Sequence, residues 1–442
     1  MSAREMFGEL LESLKLDAKT AQRISFHYRK ITKSLNIEIR GNDSSIANRL
    51  KVGSVGRHTA INGISDLDML YIMPPDHFEY YNKRFNGQSE LLTYVRNILA
   101  EEYPGQLVKK DRLVVQVKFR HFVIEVQPVF RLAEGSFRYP DSYNGGSWRI
   151  TKPVQEMNAM TSFSREKSKN LRKLCKMARA WKNKNGVNMG GLLIDTLAYR
   201  YLSSTAAYDI SGNGRLGFLA RDFFEFLSRE TRKERYHALG SLQYVKVSSP
   251  WFGRAAAEAY TMCSQAIAAA GSAGENDKWR KVFGRAFPRR KADMLNSSTT
   301  LESMASDSAS WDDTEEFIED SYPVDIRYHV ELDCKVTQDG YRTQSLRNML
   351  QSRYRLSPRK KLSFKIDMQH ITVEQPYNIL WKVLNVGDEA RRRNLIRGQI
   401  LPDEGKGQRE ESTDFRGDHI VECYIIKDEV VVGRAEIAVP IE

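Results

Sequence analysis

The segment at 66–72, DLDMLYI, constrains the fold more than any other feature of the chain. Its two carboxylates, Asp66 and Asp68, stand two residues apart, and an unbroken apolar run follows them. Alternate side chains of a strand share a face, so both acids project together, about 7 Å apart. Two like charges there repel unless a cation lies between them. Hard cations such as Mg²⁺ take carboxylate and phosphate oxygens. Just upstream, Gly53 lets the backbone approach a phosphate, and Ser54 offers both its N–H and its hydroxyl. Arg57 and Thr59 add donors nearby. The stretch is therefore expected to hold a nucleoside triphosphate with two metal ions about 4 Å apart, one to activate an attacking hydroxyl and one to stabilise the leaving pyrophosphate. Mg²⁺ is the expected ion, with Mn²⁺ as its alternative.

The remaining periodicities predict an α+β chain in several parts. With 442 residues, two or three domains are expected. Residues 17–36 read as a long helix with Ile24, Tyr28, Ile31 and Leu35 on one side. Another helix is expected around 89–102. Residues 107–130 carry two strand-like runs joined near Arg120-His121, and 141–153 read as loop and crossover. Helical patterns follow. Residues 164–185 place Leu171, Leu174, Cys175, Ala178 and Trp181 on one stripe, Gly190-Gly191 opens a helix through Tyr201, and others fit 214–234 and 252–271. Residues 291–320, rich in Ser, Thr, Asp and Glu, read as a solvated linker, or a linker with a short helix at its end. Strand patterns return at 324–336, 362–368, 419–426 and 429–441. The expected division is a catalytic core at 1–163, a helical second domain at 164–290, the linker at 291–320 and a β-rich domain at 321–442.

Composition narrows the setting. No run of about 18 apolar residues exists, so no membrane span is expected. The N-terminal MSAREMFGELLESLKL is a mixed-charge amphipathic pattern without the apolar core of a signal peptide. Cys175, Cys263, Cys334 and Cys423 lie far apart with no CxxC pair, which suits buried thiols in a reducing cytoplasm. The net charge of +12 favours polyanionic partners. Nucleotides and nucleic acid both satisfy it, but no RNA-binding motif with interleaved aromatics accompanies the charge.

A GS dipeptide, an eleven-residue gap and DLD at the start of an apolar strand resemble the polymerase-β-type nucleotidyltransferase signature. The resemblance implies a third carboxylate from a later strand. The match is Glu125 in VIEVQPVF, followed three residues later by Pro128, although that family usually has Asp. The helix at 164–185, ending ARAWK, resembles the second-domain helix of cGAS/DncV-like nucleotidyltransferases and oligoadenylate synthases, which carries a Lys facing the triphosphate. Arg179 holds the matching position, so the resemblance implies that Arg179 or Lys182 binds phosphate. Positions that often hold a serine and a base-stacking tyrosine read Gly191 and Leu192 here. The closing WRKVFGRAFP also resembles this family, with Trp279, Phe283 and Phe287 as core.

The segments YNILWKVLNVGDEARRRNLIRGQI and STDFRGDHIVECYII resemble the adenylyl/guanylyl cyclase and SMODS C-terminal sensor. Trp381, Asn385, Gly387, Ala390, Arg397, Gly398, Thr413, Gly417 and His419 match its recurrent residues. His419 is expected to be a hydrogen-bonded structural histidine, and the Arg391–Arg393 run and Arg397 are candidates for phosphate or a solvated face. These resemblances imply a polymerase-β-like core, a helical second domain and a mostly β sensor with an unidentified ligand. They also imply synthesis of a cyclic di- or trinucleotide from ATP, GTP or both, with Asp66, Asp68 and Glu125 as metal ligands. The alternatives are an RNA-end nucleotidyltransferase and a non-catalytic nucleotide-sensing scaffold.

Overall fold

The computed structural model describes residues 2–120, 122–209, 212–272, 274–289, 315–338, 342–368, 371–393, 395–405 and 407–442. Its contacts divide the chain into two units. One comprises Ser2–Ala180 and Met189–Pro288, the other Trp181–Asn188 and Arg289–Glu442.

The N-terminal unit begins with two helices, α1 (Ala3–Ser13) and α2 (Ala18–Arg40). Ser2 and Asp17 cap them by accepting from the amides of Glu5 and Thr20, which satisfies otherwise orphaned donors. The next elements are β1 (Arg49–Lys51), the single-turn α3 (Gly53–Gly56), β2 (Asp66–Ile72), α4 (Pro75–Asn82) and α5 (Gly87–Glu102). Then come β3 (Leu107–Lys110), β4 (Val115–Lys118), β5 (Val123–Arg131), β6 (Phe137–Asp141) and β7 (Ser147–Thr151). The sheet runs β1-β2-β5-β4-β3, with β6 and β7 extending from β5. Only the β2–β5 pair within it is parallel.

Alternation along β2 sorts the two faces. Leu67, Met69 and Tyr71 join Ile24, Tyr28, Ile31 and Leu35 of α2 and Leu91, Val95 and Leu99 of α5 in one core cluster. Asp66, Asp68 and Leu70 therefore point to the opposite face, where Leu70 packs with Val52, Val129 and Phe137. The acids sit on the side of the sheet away from α2 and α5.

Helices complete this unit: α6 (Pro153–Glu166), α7 (Asn170–Lys184, as far as Ala180), α8 (Gly191–Ser203), α9 (Leu216–Arg229), α10 (Gly253–Ala268) and α11 (Glu275–Phe283), with a small hairpin of β8 (Arg235–His237) and β9 (Tyr244–Lys246). Trp279, Phe283 and Phe287 are buried around Phe7 of α1, matching their expected core role. Two local expectations need correction. Residues 141–153 are not mainly loop, since β6 and β7 pair across Asp141–Ser147 and α6 opens at Pro153. The helix expected from 164 is two helices, broken where Ser168 and Lys169 adopt positive φ.

The C-terminal unit contains β10 (Leu332–Thr337), β11 (Gln344–Ser345), β12 (Lys361–Ile366), β13 (Asn378–Leu384), β14 (Arg397–Pro402), β15 (Gln408–Ser412), β16 (Gly417–Lys427) and β17 (Val430–Ile441). They form two antiparallel sheets, ordered β11-β10-β12-β15 and β14-β13-β16-β17. Leu332, Cys334 and Phe364 from one sheet and Trp381, Cys423 and Ile425 from the other share a core, so the unit is a β-sandwich. On the outer side of the second sheet, Ile318, Val324 and Ile326 bury Tyr424, Ile426 and Val431. Most of the predicted linker lies outside the described residues; its end carries the short helix Ile318–Ser321, with Ile318 buried, Glu316, Glu319 and Asp320 exposed, and Glu315 bonded to Lys382 at 2.8 Å. Residues 324–331 are largely irregular, so the strand expected at 324–336 is confined to β10.

Candidate active site

The turn between β1 and β2 is built to approach a carboxylate. Gly53 has φ +61°, and a Cβ placed there would lie 1.7 Å from Asp68 Oδ2. Only glycine fits. The Ser54 carbonyl accepts from the amides of Thr59 and Ala60 at 2.9 and 3.2 Å, which fixes the turn. The Ser54 hydroxyl makes no side-chain hydrogen bond among the described residues and stays available to a ligand. On the neighbouring strand, Glu125 is the register partner of Asp68. Its carboxylate accepts from Gln116 Nε2 of β4 at 2.8 Å. Asp66, Asp68 and Glu125 thus share one sheet face, and all three are partly exposed.

This donor set consists of hard carboxylate oxygens beside a backbone cradle without a Cβ, which fits a divalent cation. Among the described residues, no three His, Cys, Asp or Glu side chains converge as a ready-made metal group. Glu125 stands in register beside Asp68 with Gln116 bonded to its carboxylate.

The segment after the turn is clamped by helices. Arg57 is buried, and its Nε donates to Asp195 Oδ2 at 2.8 Å, with Nη1 3.4 Å from Glu156. Thr59 donates to Asp195 Oδ2 at 3.1 Å. Arg179 of α7 meets the same carboxylate at 2.6 and 3.0 Å and also donates to the Gly191 and Cys175 carbonyls. Burial by itself would push the Asp195 carboxyl up, but Arg179 and Arg57 hold it down at about 2, below the usual 3.8. Arg57, Thr59 and Arg179, expected at the triphosphate, therefore meet in a buried anchor beneath the turn. An uncompensated guanidinium could not be buried there, so Asp195 is its necessary partner. Lys182 departs further from expectation. It belongs to the C-terminal unit, where Nζ pairs with Asp325 at 2.9 Å.

Sequence reading overlooked Asp195, and also Lys176 and Arg172. The signal for Asp195 was present as a lone acid inside the apolar helix GLLIDTLAYRYL, which demands a buried partner. Arg172 Nε donates to the Arg57 carbonyl at 3.3 Å. Burial, then Arg172 and Lys176, lower the His58 pKa, and burial with Lys15, Arg172 and Arg179 lowers that of Lys176. Lys176 has no ion pair among the described residues. Arg172 and Lys176 therefore act on His58 in the segment following Ser54, with Glu12 the opposing charge on Lys176. An anionic ligand would supply further opposing charge.

In the C-terminal unit, Trp381 is core and its Nε1 donates to Asp403 at 2.8 Å. Arg397 forms a two-pronged pair with Glu411 at 2.6 and 2.9 Å. His419 Nδ1 accepts from the Val386 amide while Nε2 faces the Phe415 carbonyl, each at 3.2 Å, which matches its expected structural role.

Residues 1–163 match the family model of the Second Messenger Oligonucleotide or Dinucleotide Synthetase domain, SMODS. Residues 312–442 match the Adenylyl/Guanylyl and SMODS C-terminal sensor domain. The chain thus joins a SMODS domain to a C-terminal sensor domain. As a SMODS enzyme it is a nucleotidyltransferase of the class that makes cyclic oligonucleotides. The fold is similar to that of CdnC from Escherichia coli MS115-1 in its complex with HORMA-deltaN, at 16% identity, TM-score 0.50, covering 64% of this chain and 98% of that one. DncV cyclic AMP-GMP synthase of Vibrio cholerae is similar at 15% identity and TM-score 0.45, covering 65% and 87%. CdnG of Bradyrhizobium diazoefficiens in complex with GTP is similar at 10% identity and TM-score 0.47, covering 67% and 97%. No curated protein matches the sequence. Among the described residues of this nucleotidyltransferase, no helix is long and apolar enough to cross a membrane.

Proposed function

We infer that this nucleotidyltransferase joins nucleoside triphosphates, ATP or GTP, into a cyclic di- or trinucleotide with release of pyrophosphate. The observation that carries this reading is the Gly53–Asp68 approach, which sets a serine turn against one of two co-facial carboxylates. Ser54 donates to the triphosphate, and Lys176 and Arg172 neutralise its charge from α7. Asp195 keeps the turn in place through Arg57 and Thr59, so those residues and Arg179 position the site instead of touching phosphate. Asp66 and Asp68, with Glu125 beside them, would hold Mg²⁺. When bound, that ion neutralises phosphate charge and activates the attacking hydroxyl. The nucleophile is a ribose hydroxyl of a second nucleotide, so positioning and charge are all that the chain must supply.

A messenger-making domain joined to a sensor in one chain supports a place in bacterial anti-phage signalling, with the C-terminal unit binding a ligand that sets the rate. The four buried free cysteines support a reducing cytoplasm. The test is mass spectrometry of products from purified protein given all four nucleoside triphosphates and Mg²⁺, without RNA. Cyclic product is expected, and Asp66→Asn with Asp68→Asn is expected to abolish it while the fold persists, since removing two like charges relieves repulsion. Product appearing only with added RNA ends would instead identify an RNA-tailing enzyme. Normal turnover in the double variant would remove the carboxylates from the chemistry.

A further inference from the structure

The C-terminal unit holds an open surface cleft of about 460 Å³ lined by Arg355, Glu389, Arg416, Ile441, Glu442 and two glycines, Gly387 and Gly417. That volume lies within the range of small-molecule sites. Its floor is fixed by backbone. Gly387 has φ +113°, and a Cβ on Gly417 would lie 2.3 Å from the Val386 carbonyl oxygen and 2.7 Å from His419 Cε1. His419 ties the two sides together, accepting from the Val386 amide and facing the Phe415 carbonyl at 3.2 Å each. The buried imidazole has a lowered pKa, burial being the main cause, which suits this neutral bridging role. A side chain at either glycine would fill or distort the floor.

The rim offers two kinds of group. Arg355 spends one N–H on Asp418 at 2.7 Å and keeps the rest of its fork. Arg416 makes no ion pair or side-chain hydrogen bond among the described residues. Guanidinium forks match phosphate oxygens in shape and charge. Across the same rim, Glu389 and Glu442 are acceptors. Arg392 and Arg393 hold Glu389 in place at 2.7 and 2.6 Å, and these pairs keep its carboxyl low, at about 2. A ligand filling this space needs an anionic end and a hydrogen-bond-donating end.

We propose that the cleft binds a nucleoside phosphate, its phosphate on Arg355 and Arg416 and its amino or hydroxyl donors on Glu389 and Glu442. This deepens the reading of the C-terminal unit as the sensor, and it stands or falls on binding, separately from synthesis. The experiment is amide hydrogen exchange on the full chain, read over 386–389 and 416–419, with AMP, GMP, adenosine and inorganic phosphate as probes. AMP or GMP is expected to slow exchange there. Arg416→Ala and Arg355→Ala should each weaken the response by roughly tenfold or more, the usual effect of losing a charge-assisted bond. Asp68→Asn should leave that local response intact, which separates it from nucleotide held at the catalytic face. Absence of protection, protection unchanged in both arginine variants, or equal protection by phosphate or adenosine alone would overturn the assignment. Turnover measured on the same samples reports independently on the synthase.

Discussion

Asp195→Asn is the most informative single change, because it removes charge from the anchor without removing volume. Asp195 is fully buried and meets two guanidiniums and a hydroxyl. Deleting one side of a buried pair costs about 3–5 kcal/mol, because the remaining charges stay desolvated. Here Arg57 keeps Glu156, and Arg179 keeps the carbonyls of Gly191 and Cys175, so the loss belongs near the lower end. The chain has two units, so one global unfolding free energy is not the right readout. Amide exchange over α8 is. An opening energy lowered by about 3 kcal/mol makes exchange there roughly a hundredfold faster. There is also a pH signature. The folded carboxyl lies at about 2 and the unfolded one near 3.8, so the stabilisation is complete above about pH 4 and disappears as pH falls towards 2. That gap corresponds to about 2 kcal/mol. The wild type should lose protection across this window and the Asn variant should show no such local loss. Because Arg57 and Thr59 steady the Ser54 turn, synthesis should fall as well. An opening energy within about 1 kcal/mol of wild type would refute the reasoning, showing that the two arginines find adequate partners without Asp195.

Gly53→Ala should leave the domain folded but reduce product formation by roughly tenfold or more. The left-handed backbone adds about 1–2 kcal/mol of strain, and the new Cβ displaces the Asp68 carboxylate. Near-normal turnover would mean that the close approach is incidental. Lys176→Ala should raise the apparent KM for nucleotide by about tenfold to a hundredfold, as expected for a lost bond to a charged group. The same variant should not speed amide exchange across α7, because the lysine is half-desolvated and its pKa already depressed. An unchanged KM would place the triphosphate elsewhere. Glu125→Gln should lose most activity and Glu125→Asp should retain a measurable fraction, and equal rates in all three proteins would make Glu125 a bystander.

The sequence alone determined a good deal. A period of two in DLDMLYI placed both acids on one face, and the structure keeps them there, opposite the α2 core. The stripe Leu171, Leu174, Cys175, Ala178 and Trp181 is buried as its spacing required. Alternation in the last two strand patterns became β16 and β17, the longest strands described in the C-terminal sandwich. Those features are local, set by the geometry of one element meeting one apolar surface. Less local features escaped it. The Ser168–Lys169 break, the β6–β7 pair and the short strand β14 carry weak patterns that tertiary pairing decides.

What only the tertiary structure could decide is which cation faces which anion. Arg57, Thr59, Arg179 and Lys182 all read as phosphate donors because charge and spacing along the chain do not name a partner. Folding brings Asp195, 138 positions beyond Arg57, against the first three residues, and Asp325, 143 positions beyond Lys182, against the fourth. Lys176 and Arg172 are left beside the turn instead. A charge removed from water must be matched where it lies in space, and sequence order carries no record of that match.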